Sequence, residues 1–276
     1  MPVRFPLFSF CPDNNKPEQA SPFELVKHRV PIPRIDNARS FQELWWYAER
    51  TQKILHDESI EWVVSMEIDG STVSTVYENG ILVRGLTRGD GLFGDDITIA
   101  LNVPLRLKGN NIPPVLEVRG EIYITREDFL ALNEEQRAIR LPPWPNARNF
   151  AAGTIRRLVP PFSAERHMRL SCDDVGYREG LKASTHWEVL DELRCFGLPV
   201  TPSIERFSDF ADAMRHCNGI IGRLPEFPFE VARIVIRVNS LAQCKRLGTT
   251  SMIPQWLIAY AGDPFPLVSR PGLSPG

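Results

Sequence analysis

The sequence predicts an α+β fold in which antiparallel sheets carry flanking helices. Three observations support this: β-rich runs follow one another closely, amphipathic segments of helical period separate groups of them, and an Asn-Gly pair joins two of the runs. Asn79 and Gly80 both tolerate positive φ, which makes this pair a strong signal for a tight hairpin. Strands joined by so short a turn are antiparallel neighbours.

The predicted elements follow in chain order. A Ser-x-x-Glu capping box at Ser40 begins the first helix, Thr125 begins the second, and Gly197 ends the third as a C-cap. Helices are predicted over residues 40–57, 125–133, 186–196 and 208–217. Strands are predicted over residues 62–68, 70–77, 81–86, 115–124 and 229–238. The prolines at 142, 143 and 145 predict an irregular segment.

Proline distribution also predicts the boundaries of the domain. Residues 1–22 contain five prolines and are expected to form a flexible leader, and residues 263–276 contain four and are expected to form a flexible tail. One domain is then predicted over residues 23–262. The 43% hydrophobic content of the 276 residues is sufficient for one substantial core.

Charge and cysteine content exclude several classes of protein. The 32 basic and 34 acidic residues leave a net charge of −2, so no global positive field attracts nucleic acid or a membrane, and DNA contact would need a local patch. The sequence has no long apolar run, no signal peptide and no paired-cysteine motif, which predicts a soluble protein of the reducing cytoplasm.

Short motifs then occur in a fixed order along the chain. They are IDG at 68–70, TRGDG at 87–91, GDDIT at 94–98, EVRGE at 117–121, NARNFAAG at 146–153 and IVIRVN at 234–239. Together they resemble the adenylation domain of bacterial NAD-dependent DNA ligases, a nucleotidyltransferase fold, over roughly residues 22–262. The resemblance implies DNA repair as the context, NAD, AMP or ATP as a ligand with Mg²⁺ possible, and nicked or duplex DNA as a partner.

The resemblance also implies roles for individual residues. In this family a lysine attacks the α-phosphorus of the dinucleotide, beside an Asp-Gly turn that lets the backbone approach the phosphate. The nucleotide-binding candidates implied here are Ile35, Asp69, Gly70, Arg88, Glu121 and Arg237. The DNA-binding candidates are Arg148, Arg156 and Arg157, which can donate charge-assisted hydrogen bonds to a phosphate backbone.

The sequence departs from the family pattern at the catalytic lysines. Glu67 occupies the position of the nucleophile, Arg237 replaces the fourth-motif lysine, and Ala261 replaces the fifth-motif lysine. A carboxylate cannot form the lysyl phosphoramidate, and its charge repels the phosphate. Ser65 and the pair Ala232-Arg233 depart from the pattern as well. None of the six remaining lysines lies in a motif.

Each candidate has a structural alternative. Asp69 and Gly70 also suit a plain turn, and Arg88 also suits a loop ion pair with Asp90 or Asp95. Glu121 could instead pair with Arg119 on a solvent face. The three arginines could simply form a solvated face.

Three functional hypotheses remain open. The leading one is a domain that binds a nucleotide or nicked DNA without covalent chemistry. The second is a divalent-metal-dependent nucleotidyl transfer or hydrolysis, because Glu67 and Asp69 lie two residues apart on one strand and could share a metal. The third is a protein-interaction module in which the old pocket is vestigial. Glu67→Gln would test the second hypothesis.

Overall fold

The computed structural model describes residues 23–101, 103–156, 167–180 and 182–260. It confirms the α+β class, with predominantly antiparallel sheets and packed helices. The predicted leader and tail, Ala261 and Arg157 lie outside the described residues, so the predicted domain boundaries stay a prediction. Within the described ranges, no helix has the length and apolar character needed to cross a membrane.

The first two helices begin at the N-cap residues that the sequence predicts. Ser40 accepts from the Glu43 amide at the start of α1, and Thr125 accepts from the Asp128 amide at the start of α2. The described helices are α1 (Phe41–Ile54), α2 (Arg126–Ala138), α3 (Ala147–Ile155), α4 (His186–Cys195), α5 (Phe210–Gly222) and α6 (Leu241–Leu247).

Two larger sheets form the framework. The described strands are β1 (Leu25–Lys27), β2 (Asn37–Ala38), β3 (Trp62–Ile68), β4 (Ser71–Glu78), β5 (Ile81–Thr87), β6 (Phe93–Asp95), β7 (Val115–Tyr123), β8 (Arg169–Arg178), β9 (Glu205–Phe207), β10 (Val231–Val238), β11 (Thr249–Thr250), β12 (Ile253–Pro254) and β13 (Leu257–Tyr260). The first sheet has the order β2-β13-β10-β3-β9, and the second has the order β5-β4-β7-β8. All neighbours in them are antiparallel except β13 and β2.

Two hydrophobic cores flank these sheets. One core packs α1 and α5 against the face of the first sheet that carries Ile234, Ile236 and Val238. The other packs α3 and α4 against the second sheet, around Val118 and Ile122. Because side chains alternate along a strand, the opposite faces of β10 and β7 are free to line a cleft.

The structure corrects several predicted elements. Helix α3 occupies a region for which the sequence analysis predicted no helix: it begins directly after the proline-rich stretch, where Asn146 accepts from the Asn149 amide. Helix α5 is capped by Asp209 and continues to Gly222, well past the predicted end at Cys217. Strand β8 and helix α6 are further elements that the sequence analysis missed.

The Asn79-Gly80 hairpin is confirmed. Both residues have positive φ, and the pairing of Glu78 with Ile81 closes the turn between β4 and β5. Two neighbouring tryptophans of α1 lie on opposite faces of this amphipathic helix: Trp45 is buried and Trp46 is 59% exposed.

Candidate functional site: a charged cleft between the sheets

The candidate site is a cleft lined by charged side chains from both sheets. On β10, Arg233 and Arg237 lie four residues apart and therefore share the face opposite the hydrophobic core. On β7, the alternating residues Glu117, Arg119 and Glu121 share a face in the same way. The ion pair between Arg237 and Asp174 of β8 joins the two walls.

One end of the cleft contains Glu67, which the sequence analysis expects at the position of the nucleophile. Glu67 pairs directly with Arg233 in the register of β3 and β10. The Nε of Arg233 donates to Oε2 at 3.0 Å, and its Nη2 donates to Oε1 at 2.9 Å and to Oε2 at 2.6 Å. Both carboxylate oxygens are therefore engaged in a bidentate ion pair.

A bulge in β10 directs Arg233 towards Glu67. Val231 pairs with Ile68 and Arg233 with Glu67, so Ala232 is one extra residue between two consecutive pairs. The remaining Arg233 nitrogen, Nη1, donates to Asn37 at 2.7 Å. The guanidinium thus ties β2 to the two central strands, and the Glu67 and Arg233 side chains are only 17% and 23% exposed.

Glu121 lies close to this ion pair and is buried at 6% exposure. Burial raises the pKa of Glu121 well above its usual range, and the charges of Asp173 and Glu67 raise it further, while a hydrogen bond with Thr72 lowers it. Glu121 therefore does not lie on a solvent face, and the alternative partner Arg119 contacts Glu117 instead, at 3.5 Å.

Asp173 adds a second perturbed acid. Arg119 pairs with Asp174 and Gly120 pairs with Cys172, so Asp173 is the extra residue of a bulge in β8. Burial, followed by the charges of Asp174 and Glu67, raises the pKa of Asp173 to about 7. A carboxyl with such a pKa exchanges a proton near neutral pH.

Asp69 and Gly70 connect β3 to β4. A Cβ atom added to Gly70 would lie 2.4 Å from the carbonyl oxygen of Ile122, so only glycine fits there. The Asp69 carboxylate accepts from Arg148 of α3 at 3.3 Å. One candidate for nucleotide contact and one for DNA contact are therefore brought together, and their charges partly cancel.

Arg88 supports the loop that leads to β2. Its Nη2 donates to the carbonyl of Pro33 at 3.3 Å, and the ring of His28 donates to the carbonyl of Arg88 at 3.1 Å. Neither acid proposed as its partner receives this side chain: Asp90 accepts from backbone amides, and Asp95 lies 3.6 Å from Arg156. Arg88 thus contacts the backbone of this loop, and its contact with a nucleotide stays a prediction.

The remaining candidates lie at the edges. Ile35 packs on the small apolar cluster formed by Val235, Leu257 and Ala259 on the cleft face of the first sheet. The side chains of Arg148 and Arg156 are 55% and 56% exposed on or next to α3.

The other end of the cleft opens into a cavity of about 530 Å³. Arg237 lies 3.3 Å from both Asp174 and the Nε2 of His186. Burial and the Arg237 charge lower the pKa of His186 to about 3, so this ring is neutral at pH 7. A guanidinium can only donate, so Nε2 accepts and Nδ1 carries the proton.

Sequence reasoning missed His186, Asp173 and Asp174 as members of the cleft. Two adjacent acids between the apolar residues Leu170 and Val175 of one strand were the available signal. Of the metal candidates, Glu67 is held by Arg233 and Asp69 contacts Arg148. Over the described ranges, no group of three or more potential ligands from His, Cys, Asp and Glu is close enough to hold a metal ion.

Comparison with known proteins gives a consistent picture. A family model described as the NAD-dependent DNA ligase adenylation domain matches residues 20–264. A DNA ligase of Rhodopirellula baltica is 40% identical over 250 residues, which cover 85% of this chain and 35% of that protein. A DNA ligase of a Roseiflexus species is 38% identical over 268 residues, covering 90% of this chain and 37% of that protein.

The chain therefore spans somewhat more than a third of the length of these two relatives. Among solved structures, the ATP-dependent DNA ligase of bacteriophage T7 in complex with ATP superposes with a TM-score of 0.41 at 9% identity, covering 74% of this chain and 64% of that one. A likeness of that size does not by itself establish a common fold.

Proposed function

Because the chain belongs to the family of NAD-dependent DNA ligase adenylation domains, we propose that it is a member that does not form lysyl-AMP and that acts by noncovalent binding in the cleft. The observation that carries the proposal is the bidentate pair between Glu67 and Arg233. At the position where the family presents an amine to the α-phosphorus, this chain presents a neutralised carboxylate. A carboxylate that accepts from a guanidinium through both oxygens is a poor nucleophile.

A nucleotide is the ligand that the cleft favours. Glu121 is a buried carboxylate with a raised pKa, and ribose hydroxyls would supply the donors that stabilise its charged form. Arg237 of β10 lies on the opposite wall, towards the other end of the cleft, and would provide a positive charge for a phosphate. The proposed ligands are AMP, ATP or NAD, held without a covalent bond.

Thermal melts with AMP test this proposal. A ligand that binds the folded state alone raises its stability by RT ln(1 + [L]/Kd), about 2.7 kcal/mol at 100 times Kd. AMP should raise the Tm of the unaltered chain, and Glu121→Leu, which removes both acceptor oxygens at similar volume, should reduce the shift. Glu135→Leu on the exposed surface of α2 is the matched control. An unmoved Tm at millimolar AMP would remove the nucleotide half of the proposal.

Nicked DNA is the second candidate, favoured by the exposure of Arg148 and Arg156. Each arginine lies near an acid, so the net positive charge of this surface is small. Binding would therefore be weak and strongly reduced by salt. A gel shift with nicked duplex at low salt tests it, and free migration of the duplex would count against this half.

The geometry gives less support to the metal-dependent alternative. Mg²⁺ prefers oxygen ligands, usually one or two carboxylates, but both oxygens of Glu67 already accept from Arg233. A metal at Glu67 would have to displace this guanidinium. The protein-interaction alternative is tested by purification of the chain from its native host with a stoichiometric partner.

A further inference from the structure

A further cavity, of about 260 Å³, lies beside β5, the outermost strand of the second sheet. Its wall includes Ser74 of β4, Val83 and Arg84 of β5, Glu117 of β7 and Lys27 of β1. All six candidate nucleotide-binding residues belong to the described part of the chain, and none of them lines this cavity. The cavity is therefore separate from the nucleotide site proposed above.

Exposed apolar side chains border this cavity. Val83 lines it and is 44% exposed. Phe93, at 39% exposure, pairs with Lys27 across β6 and β1, so the two side chains lie next to each other on one face. Leu25, two residues before Lys27 and 65% exposed, extends the same face. We call Leu25, Lys27, Val83, Arg84 and Phe93 the β1–β5 surface.

A bulge in β5 adds Val83 to this surface. Arg84 pairs with Val76 and Leu82 pairs with Tyr77, so Val83 is one extra residue between consecutive pairs. Side chains alternate between the two faces of a regular strand, yet Val83 and Arg84 both line the cavity. The bulge therefore exposes an apolar side chain on a wall that a regular strand would leave to Arg84.

Ion pairs neutralise both arginines of this wall. Arg29 donates to Glu78 at 2.7 Å, and Nε of Arg84 lies 3.6 Å from the carboxylate of Asp96. The main unsatisfied feature of the β1–β5 surface is thus its exposed apolar area. An uncharged apolar segment suits it better than a strongly charged partner.

The predicted leader contains such a segment. Residues 5–10 read FPLFSF, with three phenylalanines, one leucine and no charged side chain. Segments that remain in solvent are poor in aromatic residues, because they bury too little apolar surface to offset the entropy of ordering. This run therefore differs from the polar residues that follow it, and its composition favours a packed position.

The β1–β5 surface lies within reach of this run. Residues 11–22 separate the run from Phe23, and Leu25 follows two residues later. A flexible connection of about 12 residues has a root-mean-square span of about 20 Å. So short a tether also gives an effective concentration of about a millimolar or more, which allows even weak apolar contacts to form.

We propose that residues 5–10 bind the β1–β5 surface of the same chain, with phenylalanine rings packed on Val83 and Phe93 over the mouth of the cavity. The occupant is a segment of this chain, and the binding is intramolecular. This contact does not depend on the proposed function, because the two sites share no residue.

Disulfide cross-linking of the full chain tests the proposal through Cys11, which directly follows the run. Cys172, Cys217 and Cys244 are buried and Cys195 is exposed, so the test uses a Cys195→Ser background. Arg84→Cys adds a thiol on the β1–β5 surface, and diamide then oxidises pairs of neighbouring thiols to disulfides. Cys11 should react with the new thiol at position 84 within the same chain, as peptide mapping of the monomer would show.

Arg137→Cys on α2 is the matched control. The Arg84 and Arg137 side chains are 47% and 52% exposed, and each substitution removes one surface ion pair. Cross-linking of Cys11 should be about tenfold faster at position 84 than at position 137. Equal rates would overturn the proposal, because an unbound leader would meet either thiol by random encounter.

Serine substitutions then test the apolar contacts. Phe8→Ser combined with Phe10→Ser should slow cross-linking at position 84 about tenfold while the tether keeps its length, and Val83→Ser should slow it as well. Leu130→Ser, at an exposed leucine of α2, should leave the rate unchanged. A rate unaffected by the phenylalanine or Val83 substitutions would overturn the proposal. Disulfides between chains in place of disulfides within one chain would also overturn it and would assign the surface to a second copy.

Discussion

Glu67 and Arg233 face each other across β3 and β10, and the guanidinium donates to both oxygens of the carboxylate. The sequence analysis expects both residues to depart from the family motifs. The structure makes them a single unit, because the bulge at Ala232 brings Arg233 opposite Glu67. Two positions that the sequence analysis treats separately are therefore in direct contact.

The Glu67–Arg233 pair should contribute measurably to stability. Both side chains are less than a quarter exposed, so solvent screens the pair less than it screens surface ion pairs. A double-mutant cycle of Glu67→Gln and Arg233→Gln should give a coupling energy of about 1–3 kcal/mol in urea unfolding. The same cycle on the exposed Asp212–Arg215 pair of α5 should give less than about 0.5 kcal/mol. Equal coupling in both cycles would contradict the assigned role of the buried pair.

Asp173 should make stability depend on pH. Its pKa in the folded state is about 7, above the ordinary value of 3.8, so the folded protein retains a proton that the unfolded chain releases. This contribution to stability is present below about pH 4 and is lost as pH rises through 7.

The Asp173→Asn substitution removes the ionisable carboxyl and therefore the loss of stability that follows its ionisation. The variant should be more stable than the parent at pH 8 by about 1 kcal/mol, a value discounted for partial exposure, or about 2–4 °C in Tm. The gain should vanish near pH 4. Asp191→Asn on the exposed side of α4 should show no such trend. A pH-independent difference for Asp173→Asn would show that its carboxyl titrates normally.

The fold should require glycine at position 70, because any side chain there would clash with the backbone. Alanine there places Cβ 2.4 Å from the Ile122 carbonyl oxygen, so Gly70→Ala should cost about 1–3 kcal/mol of unfolding free energy. Gly219→Ala, at an open position in α5, should instead stabilise by about 0.5–1 kcal/mol. If Gly70→Ala leaves stability unchanged and lowers AMP affinity, the glycine serves the ligand and not the turn.

The α3 surface should account for any DNA binding. Arg148→Gln and Arg156→Gln should each reduce the slope of log K against log salt by about one for nicked duplex, measured by fluorescence anisotropy. Asp69→Asn should raise the affinity, because it releases Arg148 from its ion pair. Arg215→Gln on α5 is the control. An unchanged slope in the Arg148 and Arg156 variants would place DNA elsewhere.

The sequence predicted more of the fold than of the site. Ordered motifs were sufficient for the nucleotidyltransferase-type fold, which the family match confirms, and local signals such as Asn79-Gly80 and the Ser40 cap were sufficient for individual elements. Motif alignment also found the positions of Glu67 and Arg233. Their pairing depends on strand register and on a bulge, which no local pattern encodes.

The Arg237 end of the cleft was harder to predict for a similar reason. His186 begins a helix and Asp174 lies on a strand, and their contact with Arg237 is set by packing between elements distant in sequence. The resemblance also implies a nucleotide contact for Arg88, which stays a prediction, and the side chain donates to the carbonyl of Pro33.

The measurement that tests the central claim most directly is the denatured intact mass of the unaltered chain after incubation with NAD or ATP and Mg²⁺. A chain with Glu67 bound to Arg233 should show the mass of the bare polypeptide, because no amine lies at the nucleophile position. A mass increase equal to one covalently bound AMP would contradict the account and show that another residue serves as the nucleophile.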